Sequence, residues 1–339
     1  MPVNITFRTQ LLGGVTEFCV ASRIPLFAQA LNLVELVVML AKYKEEGNPL
    51  FPEVYITTDV NALLAMLPEA ERLNLGTTTR DVKGLKHALK KTAPLANGGW
   101  LVFLDDNEDS LSFGLFRGTN NPVSVLADKV ILDSSNEIPV TKIFQVADDC
   151  VEIVSSFGER HFVFLNHRRD DSPPPLESLE RLINAVCDEV APDLKEPTQS
   201  FLTRILYNAL RTSHGTLIAV TDKRSPPRRI FDDGISLEDP IDFPTLITAV
   251  RKGEIQPSRL ITSASLLEGM LNSDGIILFN NRGKLLGFNY FVRAKAPSNE
   301  SGGARRRAFG TLTNNISKGL SAAFIQSQDG WSDFKGIEA

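Results

Sequence analysis

Three consecutive prolines, Pro173, Pro174 and Pro175, stand at the middle of a 339-residue chain. Proline has no amide donor and a fixed φ, so neither a helix interior nor a central strand crosses such a run. With Asp170, Asp171 and Ser172 in front of it, the run predicts an extended spacer between two domains, 1–170 and 171–339. Each half is long enough to bury a core of its own.

The remaining bulk properties exclude more than they identify. Hydrophobic residues make up 42% and charged residues 23%, the balance of a soluble globular protein. The most apolar run, 24–41, is preceded by Arg23 and broken by Gln29, Asn32 and Glu35, which is too polar to span a bilayer. A net charge of −5 argues against bulk nucleic-acid binding and leaves room for a local basic pocket. Cys19, Cys150 and Cys187 are far apart in sequence, which signals neither a disulfide framework nor a thiolate metal site. No secretory leader pattern starts the chain, so a cytoplasmic protein is expected.

Periodicity predicts a mixed α/β N-terminal domain. Loose alternation suggests strands over 4–7 and 16–21, and helical spacing suggests a long buried helix over 25–44. A strand at 54–57, a helix over 61–67 capped by Thr58-Asp59, and a helix over 79–91 follow. Further strands are expected at 100–104, 110–116, 129–132, 142–146, 150–155 and 161–165. The acidic run Asp105-Asp106-Asn107-Glu108-Asp109 has carboxylates suited to a hard cation, but it lacks the glycine and distant glutamate of a calcium loop. It reads as a solvated hairpin tip. His161, His167, Arg168 and Arg169 cluster without a nucleophile or orienting partner and read as a basic surface turn. Nothing in 1–170 forms a motif that can be tied to chemistry.

The second half opens with an apolar stripe on a helix, Leu176, Leu179, Leu182, Ile183, Val186 and Val190, which reads as a connector. A second amphipathic helix runs through Phe201 to Leu210, a buried strand covers 216–220, and a proline-rich basic loop covers 222–229. Helices over 243–250 and 259–272 lead to the most concentrated polar chemistry of the chain. Asp274-Gly275-Ile276 opens an apolar strand, and Asn280-Asn281-Arg282-Gly283 turns it back. Gly302-Gly303-Ala304-Arg305-Arg306-Arg307 then opens a helix, and Ser327-Gln328-Asp329-Gly330 closes a further apolar strand. Guanidinium forks and a helix N-terminus together suit a polyphosphate. Three adjacent arginines cannot share one helix face, so some member of the trio is solvated. Asp-Gly is also a common turn signal.

Taken in order, these motifs resemble the diadenylate cyclase (DAC) domain family over about residues 176–339. The resemblance implies a mixed central sheet flanked by helices, with Asp274 and Gly275 at the family's Asp-Gly and Ile276 in place of its alanine. Gly303, Arg305 and Arg307 match its phosphate-binding glycine and arginines, whereas Ala304 replaces a threonine and Arg306 a histidine. Ser327 matches the serine of the last motif, and Gln328 and Asp329 stand for two glutamates. The nucleotide-binding set implied is therefore Asp274, Gly275, Ile276, Gly303, Ala304, Arg305, Arg306, Arg307, Ser327 and Gln328. An active enzyme would add Asp274 and Asp329 as catalytic, metal-facing carboxylates with Mg²⁺ or Mn²⁺.

Replacing histidine by an always-charged arginine removes a potential metal ligand, so binding is expected to outlast catalysis. Such variants are similar to a group of probable nucleotide-sensor domains in bacterial nucleotide signalling and antiviral defence. The expectation is a cytoplasmic sensor of a nucleotide or cyclic dinucleotide, acting through an effector protein; a homo-oligomer is open to such a sensor, and the family's cyclization requires one. Two alternatives stand beside it: a divergent nucleotidyltransferase joining two nucleoside triphosphates, and a purely structural or oligomer-forming protein.

Overall fold

Two seven-stranded mixed sheets, each built around a single parallel pair, carry the chain. The computed structural model describes residues 7–22, 30–107, 109–119, 121–124, 126–135, 137–147, 150–165, 175–213, 215–293, 303–327 and 331–337. The chain divides into two compact α/β units, one running to residue 120 and over 125–172, the other taking in 121–124 and everything from 173 onward.

The first unit begins with helices α1 (Phe7–Ala21) and α2 (Ala30–Leu40) and a two-residue hairpin, β1 (Lys44–Glu45) and β2 (Asn48–Pro49). Then come β3 (Val54–Thr57), α3 (Val60–Ala65), β4 (Glu71–Thr78), α4 (Val82–Thr92), β5 (Leu101–Asp106), β6 (Leu111–Arg117), α5 (Ala127–Ile131), β7 (Val140–Ala147), β8 (Cys150–Ser155) and β9 (Arg160–Phe164). The sheet order is β4-β6-β5-β3-β7-β8-β9, with β3 and β5 parallel and every other pair antiparallel. One face is covered by α1, α2 and α4 through Leu11, Phe18, Leu36, Val37, Leu85 and Leu89. The other is covered by α3 and α5 through Leu63, Ile131, Tyr55 and Phe103.

Several expectations are corrected here. Residues 16–21 are helical, because Leu11, Val15, Phe18 and Ser22 recur at spacings of four, three and four and all are buried. The strand expected at 4–7 lies outside the described residues except for Phe7, which opens α1. Residues 129–132 belong to α5 and its C-cap, a short apolar run that tertiary context made helical. The acidic run is only partly a hairpin tip. Asn107 and Ser110 exchange backbone hydrogen bonds at 3.0 and 3.2 Å to close the turn, but Asp105 and Asp106 complete β5. Asp106 is buried and accepts two bonds from the Arg80 guanidinium at 2.6 and 3.0 Å. His161 lies in β9 with its ring edge-on to Phe18, while His167, Arg168 and Arg169 lie outside the described residues.

The second unit starts with α6 (Pro175–Val186) and α7 (Pro192–Thr212), followed by β10 (Thr216–Thr221), β11 (Phe231–Asp232), β12 (Ile235–Asp242), α8 (Phe243–Arg251) and α9 (Pro257–Leu271). It ends with β13 (Ile276–Asn280), β14 (Lys284–Val292), α10 (Ala304–Thr313), β15 (Ala322–Gln326) and β16 (Ser332–Gly336). The sheet runs β14-β13-β10-β15-β16, with β11 and β12 both paired to the outer side of β14, and only β10 and β13 are parallel. Helices α6 to α9 cover one face. On the other, α10 packs through Phe309 and Leu312 on Leu217, Ala219, Leu278 and Ala323.

Among the described residues no helix is long and apolar enough to cross a membrane.

Candidate functional site

Strand direction decides which of the polar motifs can meet. In the parallel pair, Leu217 of β10 lies opposite Ile276 of β13, so both strands start at the same end of the sheet. The antiparallel neighbours reach that end with their other termini: Tyr290 of β14 faces Ile276, and Gln326 of β15 faces Thr216. β16 starts there too, with Ser332 opposite Gln326. Asp274-Gly275 and Ser327 are therefore brought to one rim, and the basic loop 222–229 leaves from the opposite one.

The Asp-Gly turn is shaped by backbone. Gly275 has φ +91°, and a Cβ there would stand 2.8 Å from the backbone carbons of Asn289 on the adjacent strand. Both the left-handed conformation and the close approach call for glycine. Asp274 is exposed, and its Oδ1 accepts from the Gly275 N–H at 3.0 Å. Ile276 is buried in the core beneath α10, so it shapes the floor of the rim and offers a ligand no polar group.

Helix α10 begins at Gly303, an N-cap with φ −66° and ψ 173° and no side-chain cap. The first backbone bond runs from the Arg307 N–H to the Gly303 carbonyl at 3.2 Å. Its first turn holds Ala304, Arg305, Arg306 and Arg307, all exposed, and no acidic residue. Cations at the positive end of a helix dipole oppose its field, and negative charge placed there is favoured. Ala308 onward turns inward, and Phe309 and Leu312 anchor the helix to the sheet.

One contact ties this helix start to the rim. The Arg306 guanidinium lies over the Trp331 ring, 5.2 Å from its centre. Trp331 in turn closes the β15–β16 connection by accepting from the Ser327 N–H at 2.7 Å. Arg306 is thus stacked where the planar guanidinium suits an aromatic face. The Ser327 hydroxyl is buried and has no hydrogen-bond partner among the described residues. Gln328 and Asp329, and with Asp329 the second carboxylate expected to face a metal, lie outside the described residues. Among the described residues no group of three or more His, Cys, Asp or Glu could hold a metal ion.

Beside the rim, the Tyr290 hydroxyl is 2.8 Å from the Ser236 hydroxyl, and burial raises its pKa. Its ring lies against that of Phe231. Neither Tyr290 nor Trp331 was singled out by sequence reasoning. Trp331 carried a signal, being one of only two tryptophans and directly following the Ser-Gln-Asp-Gly turn. Tyr290 carried none, since its role follows from the pairing of β14 with β13. Neither protein-family models nor curated proteins give a match to this chain.

Proposed function

We propose that the second unit is a diadenylate-cyclase-like domain that binds a nucleotide or cyclic dinucleotide and serves as a sensor acting through an effector protein. The observation that carries this reading is the Arg306–Trp331 stack, which joins the arginine turn to the Ser327 turn on the rim that also holds Asp274. Phosphate oxygens would meet the uncapped N–H groups of α10 together with Arg305 and Arg307, which are exposed on the same turn. The Ser327 hydroxyl stands at the same rim as a further donor. The stacked Arg306 adds fixed positive charge where the family has a histidine able to ligate a metal, which favours anion binding over metal-assisted transfer.

The test is incubation of the purified chain with each nucleoside triphosphate, and separately with cyclic diadenylate, followed by mass spectrometry of released ligand and supernatant. Recovery of unchanged ligand is expected. Arg305→Ala and Arg307→Ala should each weaken binding about tenfold or more, since a charge-assisted hydrogen bond contributes about 1.5–3 kcal/mol. No recovered ligand at millimolar concentration would overturn the proposal.

One observation favours a second reading, a divergent cyclase. The Asp274 carboxylate is exposed, and among the described residues it is in no salt bridge, which leaves it accessible to Mg²⁺ or Mn²⁺. Metal-dependent appearance of a dinucleotide in the supernatant, abolished by Asp274→Asn, would establish that reading in place of the first.

A further inference from the structure

The two sheets have the same strand plan. From edge inward and out again, β4-β6-β5-β3-β7-β8 and β12-β14-β13-β10-β15-β16 follow the same order of use along the chain. All five neighbour relations agree in sense, with the single parallel pair in the same place. Each unit enters its first central strand from two packed helices on one face, and each sends the helix between its fourth strand and its fifth, α5 or α10, to the other.

Local details repeat as well. β3 and β10 both end in a threonine, Thr57 or Thr221, whose hydroxyl accepts from the backbone N–H two residues on, at 3.2 Å in each case. Both edge strands, β4 and β12, are eight residues long with a register shift, and each is followed by a helix capped by an aspartate, Asp81 or Asp242. Pinning Thr57 on Thr221 makes Tyr55 the counterpart of Ala219, Glu53 of Leu217 and Lys142 of Ala323, using the strand registers alone.

That correspondence locates the difference. α5 has five residues where α10 has ten, and both stop a similar distance before the next strand. What α5 lacks is the N-terminal half, the part that holds the arginine turn in α10. Beneath α10 the counterpart positions Leu217, Ala219 and Ala323 are apolar core. Beneath α5 they form a charged cluster: the Lys142 ammonium, 3% exposed, is held by Glu53 at 2.8 Å and by Asp128, which also accepts from the Tyr55 hydroxyl.

We infer that the chain is two copies of one fold, and that only the second carries a ligand site. In the first copy the helix turn that would receive an anion is missing, and the buried Lys142 beneath α5 is neutralised internally. This rests on the nucleotide reading for the second unit, but its structural half can be tested without it.

Two measurements on the full chain decide it. Equilibrium dialysis with ATP or cyclic diadenylate should give one ligand per chain, abolished by Arg305→Ala with Arg307→Ala and unchanged by Lys142→Met. Two ligands per chain, or residual binding that Lys142→Met removes, would overturn the inference. No binding at all would overturn the nucleotide reading, and the second measurement then decides alone. In thermal denaturation, Lys142→Met by itself should lower the midpoint by about 5 °C, because it removes the cation from the partly exposed Glu53 and Asp128 carboxylates and the bond partner from a buried polar cluster. The joint replacement Glu53→Leu, Tyr55→Phe, Asp128→Ala and Lys142→Met, which restores the apolar character of the second copy, should recover most of that loss. A joint variant less stable than Lys142→Met would overturn the inference.

Discussion

At the scale of single residues, the rim depends on positions where only one side chain fits. Gly275→Ala must hold φ near +91° while its Cβ meets the Asn289 backbone at 2.8 Å. A loss of about 1–3 kcal/mol in urea denaturation is expected, with ligand binding impaired beyond what stability explains. The sequence already carried this residue as the glycine of an Asp-Gly turn. The reason for it, the neighbouring strand, is visible only once β14 is paired with β13. Arg306 shows the same limit. Helical geometry says that three successive arginines point apart, but the stacking of Arg306 depended on Trp331, twenty-five residues away and outside any motif.

At the scale of elements, legibility followed the strength of the local pattern. β3, β5, β10 and β13 are short buried runs of β-branched and aromatic residues and read plainly as strands. β4 and β12 did not, because both are exposed edges: Leu73 and Leu75 alternate in β4 and Ile235 and Leu237 in β12, but Gly76 and Pro240 interrupt the pattern. The Asp59 cap read well, since an aspartate before an apolar-periodic run satisfies a free N–H, whereas Asp81 fell inside the helix expected over 79–91 and is its N-cap instead. Asp81 accepts from the Gly84 N–H at 2.8 Å, and that bond is the main cause that lowers its pKa. The folded state therefore binds this proton less readily than the unfolded chain. The stabilisation from Asp81 is whole above the ordinary carboxylate pKa of about 3.9 and is lost as pH falls through the lower folded value. Asp81→Ala should melt earlier than the natural chain at pH 7, and calorimetry should find the gap narrowing below about pH 4.

At the scale of the whole molecule, the proline run and the composition led to an expected boundary at 170/171, whereas the two compact units part at 172/173. Neither could show that 121–124 belongs with the second unit. There Val123 packs against that unit's core, and the Arg204 guanidinium, whose pKa burial lowers, donates to the Pro122 carbonyl. Val123→Ala should cost about 1 kcal/mol in the unfolding of the second unit and leave that of the first unchanged, as hydrogen exchange resolved by peptide would register. The repeat of one strand plan was equally hidden, because the counterparts share positions and almost no letters. The two tryptophans show how far the copies have diverged. Trp100 stands beneath Arg117, with the guanidinium 4.7 Å from the ring centre, and Trp331 stands beneath Arg306 at 5.2 Å. A guanidinium over an indole perturbs its emission, so this chain carries a fluorophore at the rim of its candidate site. In a Trp100→Phe background every emitted indole photon would come from Trp331, and an anion that drew Arg306 aside would change the colour and yield of that light without any added dye.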